Sequence, residues 1–152
     1  MIQLKLILYE EYANKIKRWF AEEGIPSVDV QDDNTNVAFD IQTGGTVMRI
    51  GFYKTSLDSI IILSGIKFTP EEQLMLSHLK TKRDVIWDLE RILIQMHLEP
   101  IFYPNKENIE QIKVQKTIYF DSLTKSKIFE VATDVFQSIR AIRETFLKIG
   151  KP

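Results

Sequence analysis

Between Tyr9 and Glu23 the apolar residues recur at helical spacing. Tyr12, Ile16, Trp19 and Phe20 fall on one side, and Lys15, Lys17, Arg18 and Glu22 on the other. This predicts an amphipathic first helix, stopped by Gly24. Before it, Ile2, Leu4, Leu6 and Leu8 alternate, which fits either a further helical turn or a short strand. After Pro26 the period drops to two. Val28 and Val30 mark a first strand, Asp32 to Asn36 a turn, and Val37, Phe39 and Ile41 the inward face of a second strand. Thr43-Gly44-Gly45-Thr46 is a hairpin signal, because glycine takes the positive φ that tight primed turns need. In the third strand, Val47 to Lys54, one face carries Met48, Ile50 and Phe52, and the other carries Val47, Arg49, Gly51 and Tyr53.

The stretch from Ser59 to Phe68 breaks the alternation. Ile60, Ile61, Ile62 and Leu63 follow one another, so both faces of the strand they form are apolar. If Ile60, Ile62, Met48, Ile50 and Phe52 face the helices, then Ile61, Leu63, Val47 and Tyr53 lie on the opposite face. Either a helix of the same chain or a second subunit must cover them.

At Thr69 the pattern turns helical with a full set of signals: Thr69 as N-cap, Pro70 at the first position and Glu72 completing a capping box. This helix is expected to end near Lys80. A second one starts at Thr81 and carries Val85, Ile86, Leu89, Ile92, Leu93 and Met96 on its apolar face, with Pro100 marking its end at the latest. Ile101 to Tyr103 reads as a short strand, Pro104 to Asn108 as a turn, and Ile109 to Phe120 as a half-exposed antiparallel strand with Ile112, Val114 and Ile118 on one face. Asp121 or Ser122 is expected to cap a last helix ending at Gly150. Its wide apolar side joins Ile128, Val131, Val135, Ile139, Ile142, Phe146 and Ile149 to a stripe of Phe129, Ala132, Phe136 and Leu147. The order is α-β-β-β(-β)-α-α-β-β-α. An antiparallel sheet of five to six strands packed against helices makes this an α+β fold.

With 152 residues the chain reads as one domain, 1–152, long enough to bury a core without staples. A net charge of -1 supplies no field to draw it to nucleic acid or an anionic membrane. No cysteine is present, which removes disulfides, thiolate metal sites and cysteine nucleophiles, and fits a cytoplasmic protein. The apolar start has Gln3 and Lys5 inside it and no small-residue cleavage site, so it does not read as a signal peptide. No apolar run approaches the roughly 20 residues of a membrane-spanning helix.

The candidate chemistry is thin. His78 and His97 lie on different predicted segments without the spacing of a paired metal site, and read as helix-end surface residues. Asp29, Asp32 and Asp33 form an acidic turn that lacks the glycine and terminal glutamate of a helix-loop-helix calcium site. No Gly-x-Ser-x-Gly element and no phosphate-cradling glycine loop is present, since Gly44-Gly45 joins two strands. Asp84, Asp88, Glu90 and Glu99 read as the solvated side of a charged helix. Lys82, Arg83, Arg140 and Arg143 lack the aromatic interleaving of a single-strand nucleic-acid platform. Ser122, Thr124, Lys125 and Lys127, at the start of the last helix, form a candidate anion site. No catalytic residue, cofactor or metal ligand is assigned.

Three stretches carry a family resemblance: Ile16-Lys17-Arg18-Trp19-Phe20-Ala21-Glu22-Glu23-Gly24, Ile62-Leu63-Ser64-Gly65-Ile66, and Thr117-Ile118-Tyr119-Phe120-Asp121-Ser122-Leu123-Thr124-Lys125. With the element order, they make nearly the whole chain resemble an uncharacterised family known chiefly from archaea. The order also resembles the secretion-chaperone-like fold, shared by type III secretion chaperones and YbjN-like proteins. That resemblance implies a dimer that holds other polypeptides or acts as an adaptor. The expectation is therefore a non-enzymatic, cytoplasmic protein- or peptide-binding homodimer with Val47, Tyr53, Ile61 and Leu63 as interface candidates. The alternative is a small-ligand or anion-binding protein, or an enzyme, whose polar pocket gathers a histidine or Lys125 with carboxylates.

Overall fold

The computed structural model describes residues 2–149, and side-chain exposure for 4–146. Helix α1 spans Ile2–Glu22, followed by strands β1 (Ser27–Val30), β2 (Thr35–Thr43), β3 (Thr46–Tyr53) and β4 (Ser59–Lys67). Helices α2 (Pro70–Ser77) and α3 (Lys82–Gln95) lead to β5 (Glu99–Pro104) and β6 (Ile109–Tyr119), then a 3-10 turn over Phe120–Ser122 and α4 (Lys125–Ile149). The six strands form a sheet in the order β1-β2-β3-β4-β6-β5. The β1–β2, β2–β3, β3–β4 and β5–β6 pairs are antiparallel. So is β4–β6, since Phe120 N–H donates to the Asp58 carbonyl at one end and Phe68 N–H to the Glu110 carbonyl at the other.

By compactness the chain groups into two units, one of residues 1–63 and 117–133, the other of 64–116 and 134–152. In the first, Tyr9, Ala13, Ile16 and Phe20 of α1 are buried on the side of the sheet that carries Phe39, Ile41, Met48, Ile50, Phe52, Ile60 and Ile62. The Tyr9 and Phe52 rings lie 5.6 Å apart and the Phe20 and Phe129 rings 5.0 Å, so α1 and the start of α4 share this inner side. In the second unit, Leu76, Ile86, Leu89, Leu93 and Leu98 are buried, as are Ile109, Ile112 and Val114 of β6 and Val135, Ile139 and Ile142 of α4.

Several boundaries differ from the sequence expectation. The start, open between a further helical turn and a short strand, is helical from Ile2, and Tyr9 on it donates to the Leu57 carbonyl at 2.9 Å. α2 stops at Ser77, with His78 as its C-cap, rather than near Lys80. α3 ends at Gln95, ahead of Pro100 as expected, but β5 runs over Glu99–Pro104 rather than Ile101 to Tyr103 and so includes Pro100, which the sheet tolerates because β5 is an edge strand. β6 ends at Tyr119, one residue before Phe120. Asp121 and Ser122 sit in the 3-10 turn, and Thr124 caps α4, its hydroxyl accepting from Lys127 N–H at 3.1 Å. Gly150, the expected end of α4, and the side chains of Leu147 and Ile149 lie outside the described residues. The Thr69 capping box forms as its residues require: Glu72 N–H donates to the Thr69 hydroxyl, and Thr69 N–H to the Glu72 carboxylate.

Candidate interaction face

The outer side of β2–β4 in the first unit is where the interface candidates meet. The two-residue Gly44-Gly45 turn, with φ of 56° and 79°, fixes the register, pairing Asp40 with Arg49 and Gln42 with Val47. Across β3–β4, Arg49 pairs with Leu63 and Gly51 with Ile61. Because side chains alternate, Val47, Arg49, Gly51, Tyr53, Ile61 and Leu63 share the face opposite the core. Val47 is 49% exposed, and Tyr53, Ile61 and Leu63 are half-buried. Val28, paired with Asp40 on the edge strand, extends the apolar rim and is 65% exposed.

The middle of the face is charged. Arg49 donates through Nε and Nη2 to both oxygens of Asp40, at 2.8 and 3.1 Å, and through Nη1 to Asp32 at 3.4 Å. The hydrogen bond that Arg49 donates to Asp40 holds the guanidinium pKa above its already high ordinary value. The Tyr53 ring folds back over Gly51. A Cβ at Gly51 would come within 2.6 Å of Tyr53 Cε2, so glycine makes room for the ring. Burial pushes the Tyr53 phenol up from its ordinary value, and the Asp32 charge adds to the effect.

The Arg49–Asp40–Asp32 cluster was not among the sequence candidates. A signal for half of it was present. A two-residue hairpin loop at Gly44-Gly45 sets 40 opposite 49, and both residues have outward parity.

The anion-site residues do not converge on an open cradle. Lys125 pairs with Glu22 at 2.8 Å and Glu23 at 3.4 Å, so two carboxylates already face its ammonium. That hydrogen bond lowers the Glu22 pKa and raises that of Lys125. Thr124 takes up the Lys127 N–H as a cap, and Ser122 is exposed on the 3-10 turn. Both histidines are exposed. His97 takes the left-handed position after α3 at φ 58°, where Leu98 N–H bonds back to the Leu93 carbonyl.

A concavity of about 580 Å³ in the first unit runs from Glu10, Asn14 and Lys17 of α1 to Asp29, Asp32 and Lys54. It gathers neither histidine nor Lys125. Among the described residues no group of three or more His, Cys, Asp or Glu side chains could hold a metal ion, and no helix is long and apolar enough to cross a membrane.

The family profile described as an uncharacterized conserved protein (DUF2299) matches residues 12–146, nearly the whole fold just described. The chain belongs to this family. No curated protein matches the sequence. An uncharacterized protein from Methanothermobacter thermautotrophicus, solved by crystallography, superposes with a TM-score of 0.80 at 21% identity, covering 90% of this chain and 97% of that one. A chain of the HopA1–SchA chaperone–effector complex superposes at 0.61 and 7% identity, covering 93% and 97%. YbjN from E. coli reaches 0.49 at 15% identity, covering 90% and 89%, too distant to argue from. At these identities the likeness shows a shared fold: this chain has the α+β architecture also seen in a chain of a chaperone–effector complex.

Proposed function

We propose that this DUF2299 protein is a non-enzymatic, cytoplasmic protein-interaction domain, one domain over residues 1–152, that acts as a chaperone-like or adaptor protein. It pairs with a second copy of itself through the outer face of β2–β4. One observation carries the reading: Val47, Tyr53, Ile61 and Leu63 lie side by side on the face opposite a fully formed core, and Val47 is 49% exposed. Covering a few such side chains contributes several kcal/mol at about 25 cal/mol per Å² of apolar area. The likeness to a chain of a chaperone–effector complex supports the partner class, a polypeptide, by fold alone.

The test introduces a charge into the face. Leu63→Asp and Tyr53→Asp are expected to shift the protein towards monomer in light scattering while circular dichroism stays native-like. An unmutated chain that is a folded monomer at micromolar concentration contradicts the homodimer.

A further inference from the structure

Arg49 stands at the centre of the outer face. Asp40 and Leu63 lie directly opposite it on β2 and β4, and Val47 and Gly51 flank it on alternate positions of β3. A guanidinium has five N–H donors in a fixed fork. Three of the Arg49 donors reach Asp40 and Asp32, and the two carboxylates have more acceptor sites than these bonds use. The Arg49, Asp40 and Asp32 side chains are 35%, 21% and 18% accessible, so solvent still reaches the cluster.

A partner of plain aliphatic surface laid over this face would strip that solvent and leave charged groups unsatisfied, which is the expensive way to bury them. A matching partner needs an apolar rim with donors and acceptors at its middle. A second copy has this arrangement by construction. Two-fold pairing about an axis that runs between β2 and β3 sets Asp40 of each copy before Arg49 of the other.

We propose that Arg49, with Asp40 and Asp32, is the specificity-determining cluster of the homodimer face. It fixes the register in which the two sheets meet and rejects partners that offer only apolar surface. The proposal rests on the homodimer reading above.

Charge complementation between copies tests it. Arg49→Asp and Asp40→Arg, each alone, are expected to weaken self-association by at least about tenfold. An equimolar mixture of the two variants is expected to recover association as a heterodimer, read by light scattering or analytical ultracentrifugation. A mixture that associates no better than either variant alone, with both folded by circular dichroism, overturns the specificity role and leaves the homodimer standing. A monomeric unmutated chain overturns both. If either charge variant fails to fold, Arg49→Met is the substitute, since it keeps volume and removes the donors. Self-association at least about tenfold weaker supports the cluster's role, and unchanged or tighter association overturns it.

Discussion

Ile61 and Ile62 are adjacent in β4 and point to opposite sides of the sheet, so alanine at each position separates the two faces. Ile62 pairs with Ile50 and is fully buried. Ile61 pairs with Gly51 on the outer face and is half-buried. Isoleucine to alanine removes carbons worth about 0.8 kcal/mol each when fully buried, about 2.5 kcal/mol in all. A residual cavity against the packed inner side raises the expected loss for Ile62→Ala to about 3.5 kcal/mol, within the range of about 2–5 for such core truncations. Ile61→Ala leaves no enclosed cavity and removes carbons already part-exposed, so about 1 kcal/mol is expected. Urea unfolding followed by circular dichroism measures both, and at roughly 2–4 °C per kcal/mol a thermal scan resolves them too. Protein concentration adds a second discriminant. If another copy covers the outer face, the loss from Ile61→Ala grows as concentration rises, whereas the loss from Ile62→Ala keeps its monomer component throughout. In dilute solution, where no second copy contributes, an Ile61→Ala loss equal to or greater than that of Ile62→Ala refutes the assignment of faces, because a one-residue slip exchanges them.

Three further outcomes follow from local structure. Thr69→Ala opens the capping box and is expected to lower stability by about 1 kcal/mol in urea unfolding, and an unchanged midpoint argues against the cap. His97→Gly removes a side chain from a left-handed position at φ 58° and is expected to stabilise by about 0.5–1 kcal/mol, read as a higher melting temperature; a lower one means the imidazole contributes more than its backbone strain costs. Burial raises the Tyr53 pKa, so the folded state holds this proton to higher pH than the unfolded chain does. The stability it supplies is complete below the unfolded value of about 10 and falls away as pH climbs through the raised folded value. Tyr53→Phe should therefore lose stability less steeply than the parent above about pH 10, and parallel alkaline limbs contradict a buried phenol at position 53.

Much of this was legible in the sequence because each element carried its own period. Met48, Ile50, Phe52, Ile60 and Ile62 are buried as their parity demanded, and Val47, Tyr53, Ile61 and Leu63 fall on the other side. The Thr69 cap and the Gly44-Gly45 turn are chemically specific and form where their residues stand. Illegible features were those with two physical solutions or a distant partner. The run from Ile2 to Leu8, apolar except at Gln3 and Lys5, satisfies either period, and it is helical here. Three polar residues near the start of α4 could cap it, and Thr124 does because the chain first makes a 3-10 turn through Ser122. Lys125 looked available for an anion because Glu22, which neutralises it, lies 103 residues away in sequence. The charged centre of the outer face emerged only with the register, since Arg49 reads as an ordinary outward residue until Asp40 and Asp32 stand beside it.

The central claim is that a second copy covers the outer face, and a single label tests it directly. The chain has no cysteine, so Gln42→Cys supplies a unique thiol at an exposed position beside Val47, and Ser126→Cys supplies one on the helical side of the same unit. With a nitroxide on each in turn, dipolar broadening between copies is expected for the label at 42 and not for the label at 126. Broadening at 126 alone, or at neither position at concentrations where the protein self-associates, contradicts the account.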